Sequence, residues 1–135
     1  MNVVETSSED ETIELGRRIA GTLPRRAVVL LIGNLGAGKT TLAKGIISGL
    51  GAAAVEEVSS PTFTLIHEYG RVYHIDLYRL ERAAEVATLG LDEIFDRDAV
   101  VLIEWGERFP RLMPEGRIEI RLRAGAGDRR TIEWS

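Results

Sequence analysis

Residues 33–40, GNLGAGKT, combine glycines, a lysine and a threonine at a spacing that suits phosphate binding. The segment fits the pattern G-x-x-x-x-G-K-[ST] at every fixed position: Gly33, Gly38, Lys39 and Thr40. The glycines let backbone N–H groups approach a phosphate, the lysine adds positive charge near the β- and γ-phosphates, and the threonine hydroxyl can ligate Mg²⁺. A glycine-rich turn that matches by chance is the alternative. An apolar run before the segment and a helical pattern after it favour a phosphate loop.

Two carboxylates end apolar runs that read as strands, and either could hold a metal ion or a water molecule. Asp76 lies in HIDLYRL, residues 74–80, and Glu104 lies in VVLIEW, residues 100–105. A phosphate-loop enzyme normally uses one such acid for Mg²⁺ and another group to orient the attacking water or acceptor. The run before Glu104 is more apolar, which makes it the better candidate for the strand beside the phosphate loop. The structural alternatives are a strand-end cap or a partner of Arg79 for Asp76, and a surface salt bridge for Glu104.

His74 and Thr62 are candidate neighbours of these groups. The two-residue period of a strand puts His74 and Asp76 on the same face, and we expect His74 to have a structural or supporting role. Thr62 presents a hydroxyl from SSPTF, residues 59–63, which lie between the phosphate-loop helix and the next strand. In nucleotide switches, a residue at that place senses the γ-phosphate, whereas the alternative here is a simple turn.

The elements that must position these residues can be predicted from the periodicity of the apolar residues. Residues 8–23 read as a helix that begins with a capping box at Ser8 and Glu11 and ends before Pro24. Residues 27–32, AVVLLI, form a continuous apolar run, which is typical of a strand buried on both faces of a parallel sheet. The phosphate loop follows this strand directly, and a second helix follows the loop.

The rest of the chain continues the alternation of strands and helices. An antiparallel strand pair is predicted at 63–69 and 71–77, on either side of Gly70, followed by a helix at 80–89 that Gly90 caps. A buried strand is predicted at 99–105, and a C-terminal hairpin at 116–123 and 129–135. This alternation indicates the α/β class. We therefore predict a single P-loop NTPase domain over residues 1–135, with a mostly parallel sheet flanked by helices and with antiparallel hairpin strands.

Composition excludes several other kinds of protein. The chain has no cysteine for disulfides or thiolate metal sites, and its two histidines are too few for a histidine-built metal site. No apolar run approaches the roughly 18 residues of a membrane span, and the N-terminus lacks a signal-peptide pattern, so we expect a cytoplasmic protein without membrane contact. A net charge of −4 argues against strong, independent binding of nucleic acid. No lysine follows Lys44, so the N-K-x-D element of guanine-specific proteins is absent and adenine is favoured.

The sequence resembles the TsaE (YjeE) family of small bacterial ATPases. The resemblance rests on five segments in a fixed order between residues 33 and 105: GNLGAGKTT, SPTFTL, HIDLYRL, LGLDE and LIEW. It implies a P-loop fold that binds ATP and Mg²⁺. It also implies ATP hydrolysis that supports formation of N6-threonylcarbamoyladenosine at position 37 of tRNAs reading ANN codons. In that family, TsaD pairs with TsaB and performs the carbamoyl transfer. TsaE binds this pair, and its ATPase activity resets the complex for further turnovers.

The resemblance also implies roles for individual residues. Lys39 and the loop amides would hold phosphate, Thr40 and Glu104 would ligate Mg²⁺, and Asp76 would be needed for hydrolysis, with Thr62 in a switch-like loop. The residues implied in nucleotide binding are those of the phosphate loop, the start of the first helix and the tryptophan after the second acid, namely Gly33, Asn34, Leu35, Gly36, Ala37, Gly38, Lys39, Thr40, Thr41, Glu9, Thr12 and Trp105. With Glu104 assigned to Mg²⁺, Asp76 is expected to face the attacking water or the γ-phosphate.

Two other functions remain open from the residues alone. A small-molecule kinase would use the same phosphate loop, and a non-hydrolysing switch would use bound nucleotide only to control association. We expect a monomer when the chain is alone, and contact with tRNA only through the TsaB–TsaD complex. Arg79, Arg82 and Arg108 could contact a partner or a phosphate, or could simply form a solvated face.

Overall fold

The computed structural model describes residues 1–135, which form seven strands and four α-helices. In chain order these are β1 (Asn2–Thr6), α1 (Glu9–Ala20), β2 (Ala27–Ile32), α2 (Lys39–Gly49), β3 (Ile66–Tyr69), β4 (Val72–Asp76), α3 (Ala83–Ala87), α4 (Leu91–Phe95), β5 (Val100–Glu104), β6 (Ile118–Ala124) and β7 (Arg130–Trp134). Three single-turn 3₁₀ segments lie at 55–57, 106–108 and 110–112. None of the helices has the length and apolar character that crossing a lipid bilayer would require.

All seven strands belong to one sheet, in the order β1-β7-β6-β2-β5-β4-β3. The four central strands, β6, β2, β5 and β4, run parallel to one another, and β3, β7 and β1 add antiparallel strands at the two edges. This arrangement confirms the predicted α/β fold with a mostly parallel centre and antiparallel hairpins. The carboxyl ends of β2, β4 and β5 meet at one edge of the sheet, which is where ligands bind in such folds.

Helices cover both faces of the sheet, so the central strands are apolar along their whole length. Helices α1 and α2 pack on one face, and the short helices α3 and α4 pack on the other. Neighbouring residues of β2 illustrate this, because Leu31 faces the first layer and Leu30 the second. All five residues of β4 and of β5 are buried. The polar residues on these two strands therefore lie inside the protein, where their partners decide their role.

Helices α1 and α2 cross at glycines. A Cβ atom added to Gly16 would lie 2.6 Å from the carbonyl oxygen of Leu42, and one added to Gly45 would overlap the carbonyl of Ile13. A Cβ atom added to Gly49 would lie 2.8 Å from the Cα atom of Arg17. The two backbones are therefore in direct contact, and this contact sets the distance between the start of α1 and the start of α2.

Two of the predicted helices differ from the structure. Helix α1 begins after Ser8 as expected, with the Ser8 hydroxyl accepting from the N–H of Glu11 at 3.1 Å, but it ends at Ala20 because a short turn of main-chain bonds takes over before Pro24. The predicted helix at 80–89 is two short helices, and Gly90 (φ 72°) precedes the second rather than capping the first.

Two strands also differ. β3 begins at Ile66 instead of residue 63, because Leu65 adopts a φ of 69° and Phe63 lies in an exposed turn. The sequence does not predict β1, whose five residues are mostly exposed and pair only with β7 at the edge of the sheet.

Candidate nucleotide site

The phosphate loop connects β2 to α2 in the conformation that its glycines permit. Gly36 and Gly38 have φ angles of 81° and 99°, a region that side chains disfavour. Gly38 is the N-terminal capping position of α2, and no side chain caps the helix there. The first N–H groups of α2 therefore remain available, and together with the positive end of the helix dipole they form a site for an anion.

Lys39 lies inside this site and is 5% exposed. Its ammonium group donates to the carbonyl oxygens of Gly33 and Asn34 and lies 3.6 Å from the centre of the Trp105 ring. Burial lowers the pKa of Lys39 from the usual 10.5 of a lysine, and the negative charges of nearby carboxylates, Glu104 first among them, oppose that shift. The partners of the ammonium group are a ring and two neutral carbonyls, so its charge is not neutralised by a direct ion pair.

Glu104 ends β5 beside the phosphate loop and is 3% exposed. Its carboxylate accepts a hydrogen bond from the Thr40 hydroxyl, at 3.1 Å and 3.3 Å from the two oxygens. The Nε2 atom of His74 lies 2.6 Å from one of the same oxygens. His74 is fully buried, and its Nδ1 atom has no partner. Glu104 is therefore not a surface salt bridge, and the supporting role expected for His74 is the contact that holds this carboxylate.

Asp76 ends β4 and is the register partner of Glu104 on β5. Its carboxylate accepts from the Thr62 hydroxyl at 3.0 Å and from the backbone N–H of Tyr78 at 2.9 Å. Asp76 therefore does cap the chain after its strand, and it also ties the 59–63 loop to the sheet. Arg79 forms no ion pair with it, because its guanidinium lies over the Phe63 ring at 5.2 Å.

Trp105 follows Glu104 with a φ of 68°, a conformation that is uncommon for a large residue. Its ring contacts Tyr78 with 5.2 Å between ring centres, and the guanidinium of Arg108 lies 4.7 Å from its centre. Arg108 also donates to the carbonyl oxygens of Tyr78 and Leu80. Trp105 thus has Lys39 and Arg108 as cationic neighbours, and Arg108 joins the segments that follow β4 and β5 rather than only facing solvent.

These groups surround a cavity of about 400 Å³ at the carboxyl edge of the sheet. The predicted residues that line it are Glu9, residues 35, 36 and 38–41, Thr62, Asp76, Glu104 and Trp105. Gly33, Asn34 and Ala37 belong to the loop but do not line the cavity. Ser60, Tyr78 and Arg130 also line it, although no sequence pattern marks them as site residues.

A second cavity of about 60 Å³ adjoins the first and shares residues with it. It is lined by Glu9, Thr12, Gly38, Thr41, Asp128 and Arg130. Thr12 is buried, and its hydroxyl is bonded to the Thr6 hydroxyl at 2.7 Å, so it also joins α1 to β1. The two residues predicted beside adenine, Glu9 and Thr12, therefore lie next to the phosphate loop at the start of α1.

The oxygen ligands present suit a hard cation such as Mg²⁺. No group of three or more His, Cys, Asp or Glu side chains is arranged to hold a metal ion by itself. The Thr40 hydroxyl and the Glu104 carboxylate are nevertheless adjacent at the end of the phosphate loop. Mg²⁺ is commonly held by one or two protein oxygens together with substrate phosphates and waters, and this pair fits that pattern.

Comparison with known proteins assigns the chain to a family. The family model "Threonylcarbamoyl adenosine biosynthesis protein TsaE" matches residues 6–132. The chain is 41% identical over 135 residues to the TsaE protein of Treponema pallidum, covering 98% of both chains. It is 38% identical over 134 residues to that of Bacillus subtilis, covering 96% of this chain and 82% of the relative.

A solved structure supports the same assignment. The crystal structure of Bacillus subtilis YdiB superposes with a TM-score of 0.79 at 32% identity, covering 98% of this chain and 83% of that one. The match of fold and the match of sequence both extend over nearly the whole chain. The chain therefore belongs to the TsaE family of threonylcarbamoyl adenosine biosynthesis proteins.

Proposed function

We propose that the chain is a Mg²⁺-dependent ATPase required for formation of N6-threonylcarbamoyladenosine at position 37 of tRNAs reading ANN codons. Its family and its relatives are named for threonylcarbamoyladenosine biosynthesis, which supports the pathway. The activity rests on one observation in the site: two carboxylates on neighbouring strands contact two different threonines beside a buried lysine. Such a division separates metal binding from activation of water.

The phosphate loop binds the nucleotide in this proposal. The first N–H groups of α2 and the ammonium group of Lys39 contact phosphate oxygens, and Lys39 exchanges its present carbonyl partners for them. Burial of Lys39 strengthens each such contact because little water competes with it. Thr40 and Glu104 would hold Mg²⁺, which supplies positive charge to the phosphate oxygens and neutralises the charge that develops during transfer.

Asp76 acts on the attacking water. Its carboxylate lies on the same face of the sheet as Glu104 but contacts Thr62 instead of Thr40. A carboxylate fixed by a backbone N–H and a hydroxyl can orient a water molecule and accept its proton. The Thr62 hydroxyl belongs to the loop that would contact the γ-phosphate, so the hydrogen bond between Thr62 and Asp76 links that loop to the reacting water.

His74 positions Glu104. Its Nε2 contact restricts the rotation of a carboxylate that would otherwise have only the Thr40 hydroxyl as a partner. Support of this kind, from a residue that contacts the ligand but not the metal, is a general feature of metal sites. We therefore assign His74 to the geometry of the metal site and not to proton transfer.

The partners of this ATPase are the TsaD and TsaB proteins, in the cytoplasm, with the chain a monomer when alone. The net charge of −4 favours a protein surface over direct binding of tRNA, which would be reached through the complex. Slow turnover without partners follows if hydrolysis serves to reset the complex between modification events.

Measurement of ATP turnover with and without the TsaB–TsaD pair tests this proposal. We expect slow release of free phosphate by the chain alone, a marked increase with the pair, and loss of tRNA modification in Lys39→Ala. Unchanged turnover and no complex with the pair would refute the assigned role. Phosphate transferred to an added hydroxyl acceptor would instead indicate a kinase, and modification without hydrolysis would indicate a switch.

A further inference from the structure

Arg130 connects the C-terminal hairpin to the phosphate loop. It is the first residue of β7, which is separated from β2 by β6 in the sheet. Its Nη2 atom donates to the carbonyl oxygen of Gly36 at 3.2 Å, and its Nη1 atom donates to the carbonyls of Gly127 and Arg129. The guanidinium is therefore held between the hairpin turn and the loop by three backbone oxygens.

The charge of Arg130 is not neutralised by any carboxylate. None of the ion pairs in the chain includes Arg130. The arginines in β6 and just before it differ in this respect, because Arg117, Arg121 and Arg123 each pair with a glutamate. Glu9 and Asp128 line the smaller cavity together with Arg130, but neither carboxylate forms an ion pair with it. The half-buried guanidinium can therefore still bind an anion.

The position of this charge is defined by the two adjoining cavities. A Cβ atom added to Gly38 would lie 3.4 Å from the Nε atom of Arg130, so the guanidinium lies directly against the bare backbone where α2 begins. Arg130 lines the main cavity and also the smaller one beside Thr41 and Glu9. It therefore stands at the junction of the two.

The junction lies on the side of the phosphate loop that faces the smaller cavity and the start of α1. In such loops the lysine contacts the β- and γ-phosphates. Lys39, Thr40, Asp76 and Glu104 line the main cavity but not the smaller one. Arg130 is not among the polar contacts of any of these four residues. A group next to Thr41, the residue after the metal-binding threonine, is near the α-phosphate and the sugar.

We propose that Arg130 binds the α-phosphate of the nucleotide and so positions the nucleoside against the start of α1. This assignment rests on the proposed ATPase function. A guanidinium binds phosphate oxygens through paired N–H groups, and Arg130 keeps N–H groups beyond those used by its carbonyl contacts. The C-terminal hairpin then contributes directly to the nucleotide site through this one side chain.

Nucleotide affinity and steady-state kinetics of Arg130→Ala, Arg130→Lys and Arg130→Gln test the assignment. We expect the Kd for ADP and the KM for ATP to rise about tenfold or more in Arg130→Ala, with kcat nearly unchanged. Arg130→Lys retains the charge but not the paired N–H groups, so its affinity should be intermediate. Arg129→Ala is the matched control, because Arg129 is exposed on the same turn and lines neither of the two cavities.

The outcomes separate this inference from the proposed function. If the unsubstituted chain binds ATP and all three variants bind it equally well, the assignment of Arg130 is wrong and the ATPase proposal stands. A fall in kcat at unchanged KM would place Arg130 at the γ-phosphate and refute the α-phosphate contact. If the unsubstituted chain binds no ATP, both proposals fail. Circular dichroism of Arg130→Gln, which keeps a polar but uncharged side chain, shows whether the fold is intact.

Discussion

Asp76 and Glu104 are register partners on neighbouring parallel strands, yet each carboxylate contacts a different threonine. Glu104 lies 3.1 Å from the Thr40 hydroxyl, and Asp76 lies 3.0 Å from the Thr62 hydroxyl. Thr40 belongs to the phosphate loop, whereas Thr62 belongs to the loop between α2 and β3. The two acids therefore have equivalent places in the sheet but different environments, and their roles can be tested separately.

Glu104→Gln should impair the use of Mg²⁺ most strongly. The amide retains the size of the side chain but removes a charge that the cation requires, so we expect the Mg²⁺ concentration for half-maximal turnover to rise about tenfold or more. Titration of ATPase activity with Mg²⁺ measures this value. Glu107→Gln is the matched control, because the charge of Glu107 also raises the pKa of Lys39, as that of Glu104 does, but Glu107 does not contact Thr40. Equal effects of the two variants would contradict the assignment.

Asp76→Asn should lower turnover while the nucleotide still binds. Loss of a general base typically lowers the rate by about 10²–10⁴-fold, and the phosphate loop and Lys39 are not altered. Phosphate release and calorimetric titration with ATP measure the two quantities on the same sample. Asp92→Asn, an exposed residue of α4, should change neither. If Asp76→Asn mainly raised the Mg²⁺ concentration needed for half-maximal turnover, the roles assigned to Asp76 and Glu104 would have to be exchanged.

His74→Ala should resemble a weaker form of Glu104→Gln. Without the Nε2 contact at 2.6 Å the carboxylate can rotate away from Thr40, so we expect the half-maximal Mg²⁺ concentration to rise several-fold. The side chain introduced by His74→Gln has an N–H donor, so the half-maximal Mg²⁺ concentration should return part of the way to the value of the unsubstituted chain. His67→Ala is the control, because His67 is the register partner of His74 on β3 and does not contact the site. A loss of stability with unchanged Mg²⁺ dependence would mean that His74 is only structural.

Gly45→Ala should destabilise the protein. The added methyl group would overlap the backbone of α1 at Ile13, and overpacking of this kind costs about 1–3 kcal/mol, occasionally more. Urea denaturation followed by circular dichroism gives the free energy of unfolding. Gly116→Ala is the control, because a methyl group there meets nothing within 4 Å and the residue does not have a positive φ. Equal stability of the two variants would show that α1 and α2 separate at little cost.

The parts of the site that were predictable from the sequence are those that depend on local pattern. The phosphate loop has its glycines, lysine and threonine within one segment, and Asp76 and Glu104 each end an apolar run. Parallel strands bring such ends to one edge, so the proximity of the two acids follows from the fold class. Which threonine each acid contacts does not follow from any of these patterns.

The parts that were not predictable depend on contacts between distant segments. Arg130 is 94 residues from its partner Gly36, and nothing in the residues around it indicates that its side chain reaches the phosphate loop. Strand β1 forms by pairing with the free edge of β7, and its own five residues show only a weak alternation of exposed and buried positions. The break at Gly90 and the turn at Leu65 required a positive φ, which a helical or strand-like composition conceals.

The glycine crossing of α1 and α2 has a consequence for variation within this fold. Side chains can change rotamer to accommodate a neighbour, whereas two backbones in contact have no such freedom. The closest approach of α1 to α2, and with it the space between Glu9 and Thr41, is therefore limited by contact between main-chain atoms rather than by the choice of core side chains. A sequence that places alanine at position 16 or 45 must move the first helix outward as a rigid rod. Such a chain would keep the glycines of its phosphate loop, and the smaller cavity between Glu9 and Thr41 would widen.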